Sequence, residues 1–528
     1  MQLAFGKNAS ISLTPLPLAS QMVRGERTFF GAGNETTQRA GAIVNEVLRS
    51  TFEKSTPTFA SDAERAAIGA EKVDVAAFRD DESGAIRVVY REIVIQFEPR
   101  TPAAARRKLL DRYGLRLRTR SSFALHKIIA FDPNRRYVAG RMVDLANELT
   151  ATEEVAFAFP NFVSEFRRDA VPPVDAAQWH LRTVHARDAW ATTLGSPKVA
   201  VAVLDDGVDV DHPNLKARIK RRPDPNEPRD KHGRDFFVAE DAPDHFDPRP
   251  KRFKAPYDVM TGNDIHGTPC AGVIAARGTS EGMRGIAPNC RVLPVKVFHA
   301  DDLAVEARVA DAIRYAMLFA DVLSCSWSGP RSPDIEAALA DGATGRDGRG
   351  VPVFAATGNS HPDVTGVSYP AASPHAIGVG ASTDRNDIAH YSQRGPEVSV
   401  VAPSSGGNRA ITTTDVSYRD RGFNLGNAGA GGVSGLHTNS FGGTSSATPL
   451  AAGIAALMLS ASSELTRDQV KQLLQQTAAK IGPAGSYDAN GFSQIYGFGC
   501  VNAAAAVAAA QAARRTAVAS RRRARRAA

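Results

Sequence analysis

The sequence has few cysteines for its length, four in 528 residues. Cys270, Cys290, Cys325 and Cys500 are widely spaced and form none of the CxxC or Cys/His pairs that hold zinc. We therefore predict no metal site from them. We interpret all four as buried free thiols rather than disulfides, which agrees with a reducing compartment.

Long apolar runs are also missing. No run reaches the roughly 18 residues that a helix needs to cross a bilayer. The first residues, MQLAFGKNASISLTPLPLASQ, contain the single Lys7 and no continuous apolar core, unlike a secretory signal. These absences favour a cytoplasmic location, and a secreted or periplasmic one stays open.

Positive charge is concentrated at one end of the chain. The net charge is +8, and seven arginines without an intervening acid lie in the last fifteen residues: Arg514, Arg515, Arg521, Arg522, Arg523, Arg525 and Arg526. The rest of the chain is near neutral, so specific nucleic-acid binding is not expected. We predict a disordered basic tail over 513–528, with weak contact to an anionic surface as the alternative.

The remaining chain divides into segments that differ in composition and in predicted secondary structure. Residues 1–85 are polar, carry no functional signal and include one possible amphipathic helix near 43–52. Residues 86–168 show the order β-α-β-β-α-β, which predicts a small ferredoxin-like α+β unit. A charged, proline-containing linker follows over 169–178.

Residues 179–512 alternate short apolar runs with helical stretches. KVAVAVLD, RVLPVKVF, VLSCSW and VPVFAAT are nearly continuous in apolar residues, as buried parallel strands require. We predict a doubly wound, mostly parallel α/β sheet. Active sites in such sheets gather at the carboxyl ends of the strands.

Three motifs carry chemistry. Asp205 ends a buried strand in VAVLDDG, His266 precedes a small-residue helix in HGTPCAG, and Ser445 begins a long apolar helix in GTSSATP. A serine hydroxyl becomes nucleophilic when an imidazole takes its proton, and a buried carboxylate orients that imidazole. We predict these three residues as a catalytic triad.

The order Asp, His, Ser is that of subtilisin. Together with GIAP, SWSG and AATGN between the motifs, it makes residues 175 to 510 resemble the subtilisin-like serine peptidases (subtilases, peptidase family S8). The resemblance implies a serine endopeptidase that hydrolyses polypeptides through an acyl-enzyme. The alternative is a catalytically silent binding or scaffold protein with the same fold.

The resemblance also implies roles for other residues. Asn359 and the Ser445 backbone N–H would form the oxyanion hole, and Ser326, Trp327, Ser328 and Gly329 the substrate-binding edge. Residues 86–168 resemble a propeptide that assists folding and inhibits the enzyme. The chain would then be a self-processing zymogen, cut between Phe166 and Asp175.

Three short sequence features resemble the kexin-like branch of the family: the pair Asp205-Asp206, the cysteine of HGTPCAG and the motif SCSW. The acid-rich continuation of that branch is missing, although Asp334 is nearby, so we predict a broad or apolar P1 preference. Asp206 or Asp264 would favour a basic residue at a neighbouring position. We interpret Cys270 as a small core residue.

No cofactor is required by this chemistry. Family members often carry structural calcium, but Asn214 stands where one such site would have a carboxylate. The charged segment 216–262, with His232 and His245, matches no metal-ligand spacing, and we predict a solvated surface loop there.

Overall fold

The structure is a computed structural model. It describes residues 2–4, 10–16, 18–23, 26–31, 76–81, 86–121, 124, 126–133, 139–165, 167–168, 178–251, 264–277, 283–299, 303–417, 422–423 and 435–527. The predicted helix near 43–52 lies outside these residues, as does most of the predicted processing segment and nearly all of the linker.

The N-terminal unit is an antiparallel sheet with two helices. Its strands are β1 (Gln2–Ala4), β2 (Ser10–Leu16), β5 (Ala76–Asp80), β6 (Ile86–Phe97), β7 (Arg116–Arg120), β8 (Lys127–Phe131) and β9 (Val155–Glu165), with a separate hairpin of β3 (Leu18–Val23) and β4 (Glu26–Gly31). Its helices are α1 (Ala103–Tyr113) and α2 (Met142–Thr150), and a 3-10 turn, Ala139–Arg141, precedes α2. Gly114, at φ 66°, ends α1 in the left-handed conformation that glycine adopts without strain.

The strand order β9-β6-β8-β7 is that of a ferredoxin-like unit, as predicted. The sheet also continues into the leader, because β5 pairs with the first half of β6, and β2 and β1 follow outward. Strands from the leader, residues 1–85, therefore belong to the same sheet as the strands of the ferredoxin-like unit that begins at residue 86.

The main domain is built on a seven-stranded parallel sheet of order β12-β13-β11-β15-β17-β18-β19, which confirms the predicted fold class. These strands are β11 (Ala200–Asp205), β12 (Arg234–Asp235), β13 (Arg291–Lys296), β15 (Val322–Cys325), β17 (Val353–Ala356), β18 (Ile377–Ser382) and β19 (Val398–Pro403). Smaller strands are β10 (Arg167–Arg168), β14 (Leu303–Val305), β16 (Trp327–Ser328), β20 (Ile411–Thr414) and β21 (His437–Phe441).

Helices cover both faces of this sheet. They are α3 (Trp179–Thr183), α4 (Ala186–Trp190), α5 (Gly267–Ala275), α6 (Glu306–Phe319), α7 (Pro333–Asp341), the short α8 (Gly345–Gly348), α9 (Gly443–Ala461), α10 (Arg467–Thr477) and α11 (Ala503–Ala527). Val201 and Val203 of β11 belong to one apolar core, and Ala202 and Leu204 to the other. Alternate side chains of a strand point to opposite faces, so both faces are buried.

Helix α9 is long and apolar enough to span a membrane by composition, yet 94% of its apolar window is buried inside the protein. It packs against α5, α11 and strands β15, β17 and β18. It is therefore the central core helix.

Two expectations differ from the structure. The tail from residue 513 was expected to be disordered, but α11 continues to Ala527, since alanine and arginine are strong helix formers. The segment 216–251 was expected to be a solvated loop, but Asp230 is buried, 3.1 Å from Arg234 Nε, and accepts the Tyr315 hydroxyl. Paired charges make that burial tolerable.

The two units meet through buried ion pairs. Arg87 of β6 lies 3.1 Å from Glu306 of α6, and both side chains are fully buried. Lys127 Nζ lies 2.7 Å from both Asp311 and Asp334. Strand β9 also pairs with β14 across the same interface. The N-terminal unit is therefore docked on α6 and α7 by complementary charges.

Candidate active site

The fold brings the three predicted catalytic residues to the carboxyl end of the parallel sheet. Asp205 is the last residue of β11, His266 immediately precedes α5, and Ser445 is in the first turn of α9. All three are buried, at 1%, 4% and 0% exposure. The helix N-termini of α5 and α9 thus place the histidine and the serine over the strand that ends in the acid.

The imidazole of His266 is oriented by Asp205. Its Nδ1 donates to the carboxylate, at 2.9 Å from Oδ1 and 3.1 Å from Oδ2. Burial lowers the pKa of His266, but the Asp205 carboxylate outweighs that effect and holds the pKa well above its usual range. With Nδ1 engaged by Asp205, Nε2 is the nitrogen that could accept a proton when the ring is neutral. Among the described residues Nε2 has no hydrogen-bond partner.

Ser445 is linked to the neighbouring Ser326. The Ser445 hydroxyl donates to the Ser326 carbonyl at 3.3 Å, and the Ser326 hydroxyl donates to the Ser445 carbonyl at 3.0 Å. The Ser445–His266 hydrogen bond is not formed in this arrangement. Hydrogen bonds of this kind are often loose or absent before a substrate binds.

Asn359 presents a free donor. Its Oδ1 accepts from the backbone N–H and from the hydroxyl of Thr444, both at 2.9 Å. This fixes the amide so that Nδ2 is buried and unpartnered among the described residues. Such an orphaned donor is suited to an oxyanion. Sequence reasoning missed Thr444 as the residue that orients Asn359, although it adjoins Ser445 in the motif GTSSATP.

Asp206 holds the backbone of His266. Its carboxylate accepts from the N–H of His266 at 2.9 Å and from the N–H of Gly267 at 2.7 Å. Lys296, which the sequence analysis did not single out, donates to the Asp206 carbonyl and to Asp264 Oδ2, the latter at 2.5 Å. Burial raises the pKa of Asp264 to about 7, against the effect of Lys296. Both carboxylates are buried and bonded within the protein, which does not favour contact with a basic substrate residue.

Cys270 is buried as predicted, and it lies behind the triad. Its Sγ is 3.7 Å from Asp205 Oδ2 and 3.7 Å from the Ser445 carbonyl. Burial raises its pKa to about 11, so it remains a thiol and not a second nucleophile. The four cysteines are all free and buried, as expected.

The predicted substrate edge is occupied by the chain itself. Strand β10 pairs antiparallel with β16, Arg167 opposite Ser328 and Arg168 opposite Trp327. The Trp327 indole is buried and donates to the Leu204 carbonyl at 2.9 Å, so this residue offers only its backbone at the edge. Gly329 N–H donates to the Tyr369 carbonyl at 2.9 Å.

Among the described His, Cys, Asp and Glu side chains, three that could hold a metal ion come together at one place. Asp205, His266 and Cys270 form the sole group of three such side chains among the described residues, and its nitrogen and sulfur atoms do not suit calcium. Asn214, whose identity cast doubt on one calcium site, uses both amide atoms within the protein. Its Nδ2 donates to the Arg277 carbonyl at 2.8 Å and its Oδ1 lies 3.0 Å from His437 Nε2.

Known proteins share this sequence pattern. The calcium-dependent protease of Trichormus variabilis is 32% identical over 456 residues, which cover 80% of this chain and 63% of that protein. Subtilisin BL of Lederbergia lenta is 30% identical over 328 residues, 62% of this chain and 97% of that protein. The chain thus spans about 63% of the length of the calcium-dependent proteases that it matches.

The fold is also shared. The crystal structure of fervidolysin from Fervidobacterium pennivorans superposes with a TM-score of 0.60 at 21% identity, covering 81% of this chain and 62% of that one. The profile of the subtilase family matches residues 196–499, which include all three predicted catalytic residues and Asn359. This chain therefore belongs to the subtilase family of serine peptidases.

Proposed function

We propose that this protein is a serine endopeptidase that hydrolyses polypeptides through an acyl-enzyme. The observation that carries the proposal is that two buried polar atoms at this site have no hydrogen-bond partner among the described residues. His266 Nε2 and Asn359 Nδ2 are both buried and unpartnered among the described residues, beside a serine at a helix start. Buried polar atoms without partners are costly. In the proposed reaction the Ser445 hydroxyl becomes the partner of His266 Nε2, and the substrate carbonyl oxygen becomes the partner of Asn359 Nδ2.

The residues would act in sequence. The Ser445 hydroxyl attacks the substrate carbonyl carbon while His266 Nε2 takes its proton, and Asp205 stabilises the resulting imidazolium. Asn359 Nδ2 donates to the carbonyl oxygen as negative charge develops on it. His266 then gives its proton to the leaving amine, and the C–N bond breaks. Water, activated by the same imidazole, releases the acyl group and regenerates Ser445.

A catalytically silent scaffold is the alternative function. The two readings differ in whether Ser445 reacts. We expect a fluorophosphonate to label the wild type stoichiometrically at Ser445, and casein to be cleaved by the wild type but not by Ser445→Ala. A variant at an exposed serine, Ser463→Ala, is the matched control and should behave as the wild type. If a folded, processed wild type is neither labelled nor able to cleave casein, the scaffold function is favoured.

We also propose that the N-terminal unit inhibits the main domain before maturation. The support is its docking through buried ion pairs and the pairing of β10 with the substrate edge β16. A segment held antiparallel to that edge blocks a peptide substrate from adding its own strand there. The chain would leave this state by cutting itself between Phe166 and Asp175, a segment that lies mostly outside the described residues.

Self-processing is tested by intact mass. The wild type should lose its N-terminal portion up to about residue 170, while Ser445→Ala stays whole. If both proteins remain full length and the wild type is active, the zymogen proposal fails although the peptidase proposal stands. If both are cut, another protease performs the maturation.

For substrate preference we propose a broad or apolar P1. Asp206 and Asp264 are buried and bonded to protein groups, and Asp334 is paired with Lys127 and Arg314 at the unit interface. None of these carboxylates is left to neutralise a cationic side chain. A peptide series differing only at P1 should be cleaved well after Leu and Phe. Fast cleavage after Arg alone would contradict this and support the kexin-like features.

Calcium is a separate question, raised by the name of the Trichormus relative. We propose that the chemical step needs no calcium, because the proposed acid-base and oxyanion groups are all side chains or backbone N–H groups of the protein. Chelation with EGTA is expected to leave the initial rate of mature enzyme unchanged in a short assay. An immediate loss that Ca²⁺ restores would contradict the proposal, and a loss that develops only with the unfolding of the protein would assign calcium a structural role.

A further inference from the structure

A cavity of about 550 Å³ opens at the end of the parallel sheet opposite the catalytic residues. Strand β11 begins beside it at Ala200 and ends at Asp205. Five cationic side chains line the cavity, and no acidic side chain does: Lys198, Lys216, Lys220, Arg221 and Arg291. We call this the basic pocket.

Backbone hydrogen bonds hold the segments that carry these cations side by side. Arg291 N–H donates to the Val199 carbonyl and Val292 N–H to the Arg218 carbonyl, each at 2.9 Å. Lys220 N–H donates in turn to the Val292 carbonyl at 2.7 Å. The pocket is therefore built on backbone hydrogen bonds that continue from the core sheet, and these fix the positions from which its cationic side chains extend.

Two of the five cations donate to backbone carbonyls. Arg291 Nη1 donates to the Ala217 carbonyl at 2.5 Å and Lys220 Nζ to the Phe319 carbonyl, and both acceptors are neutral. Within the described chain, none of the five cations has a carboxylate within ion-pair distance. Asp321 is the acid that acts on Lys220, and it is already engaged by the Ala200 N–H at 2.9 Å.

The field around the pocket is positive enough to act on a neighbour. Burial lowers the pKa of Arg218, and the positive charges of Arg277 and Arg291 lower it further. The Nε of Arg218 is also buried without a partner among the described residues. Like charges repel, so an anion that enters the pocket would reduce the repulsion among them.

We propose that the basic pocket binds a multivalent phosphate, as a short polyphosphate or the phosphate chain of a nucleotide. Its volume lies in the usual range for small-molecule sites and exceeds what a single phosphate fills. Lysine ammonium groups act as compact point charges toward phosphate, and the arginines add donors in a planar fork. Nothing in the proposed peptidase chemistry uses these residues, because they lie at the other end of the sheet.

The proposal is tested by calorimetric titration of full-length Ser445→Ala, which cannot cleave itself, with sodium tripolyphosphate and, separately, with ATP. We expect saturable binding at one site that weakens as salt is added. Lys198→Gln, Lys216→Gln and Arg221→Gln combined should weaken binding at least about tenfold. These three side chains lie at the exposed rim of the pocket, so their replacement should not disturb the core. A thermal melt checks that the variant folds.

The matched control removes three exposed cations from α1: Arg107→Gln, Lys108→Gln and Arg112→Gln. It should bind as Ser445→Ala does. Equal weakening in both variants, or no saturable binding at all, would overturn the proposal. Citrate binding as tightly as tripolyphosphate would overturn the assignment to phosphate. ATP binding without tripolyphosphate binding would overturn the role of the phosphate chain.

Discussion

The backbone N–H of His266 donates to the carboxylate of Asp206 at 2.9 Å, while the His266 side chain is bonded to Asp205 at the same distance. Two consecutive acids therefore hold one histidine, one by its ring and one by its main chain. The backbone bond places the start of α5, and with it the imidazole of His266.

Asp206→Asn should lower kcat about 10-fold to 100-fold with little change in KM. The amide keeps one acceptor oxygen but turns a nitrogen toward the second backbone N–H. His266 therefore shifts, and a small misplacement of a catalytic group lowers the reaction rate strongly. Steady-state kinetics on a peptide substrate measure this. Asp211→Asn, an exposed acid on the same loop, is the control. Equal kcat values for the two variants would refute the positioning role.

Asp205→Asn should lower kcat about 10⁴-fold and move the pH profile. In the wild type, Asp205 holds the pKa of His266 well above its usual range, and the protonated ring cannot act as base. Activity is thus lost as pH falls through that raised pKa. Without the carboxylate, burial dominates and the pKa of His266 falls. The acid limb of kcat/KM against pH should shift to lower pH, and an unmoved limb would assign it to another group.

Asn359→Asp should lower kcat about 10²–10³-fold with KM nearly unchanged. The aspartate still accepts the two hydrogen bonds from Thr444, so the loop is retained, but the Nδ2 donor is replaced by an oxygen. Kinetics together with a thermal melt separate the two effects. Asn490→Asp, at an exposed loop, should leave kcat as it is. A full-rate Asn359→Asp enzyme would remove this residue from the oxyanion hole.

Arg87→Ala should lower the free energy of unfolding of Ser445→Ala by about 3–5 kcal/mol, because it leaves Glu306 charged and buried without its partner. Arg79→Ala, which removes an exposed ion pair with Asp81, should cost about 0–1 kcal/mol. Urea unfolding measures both. Removing Glu306 as well should restore part of the loss, and purely additive effects would show that the two side chains do not interact.

Local motifs made most of the active site predictable. Asp205, His266, Ser445 and Asn359 each lie in a short motif whose strand, turn or helix start can be read from neighbouring residues. No motif indicated a role for Lys296 at the site, because a lysine inside an apolar run is interpreted only as part of a strand. Only the packing of β13 beside β11 places it under Asp206 and Asp264. The helical tail and the buried charges of 216–251 were missed for a related reason, since composition does not report what a segment packs against.

By itself, then, the sequence determined the doubly wound sheet, the ferredoxin-like order of the N-terminal unit and the four free thiols, and it singled out the three residues of the proposed triad. These follow from periodicity and short motifs, which act over a few residues. Tertiary structure alone decided the pairing of Arg87 with Glu306, 219 residues apart, the lining of the basic pocket and the alignment of β10 with the substrate edge. Such contacts depend on which surfaces meet when the sheets are buried, and burial is what turns distant charges into specific partners.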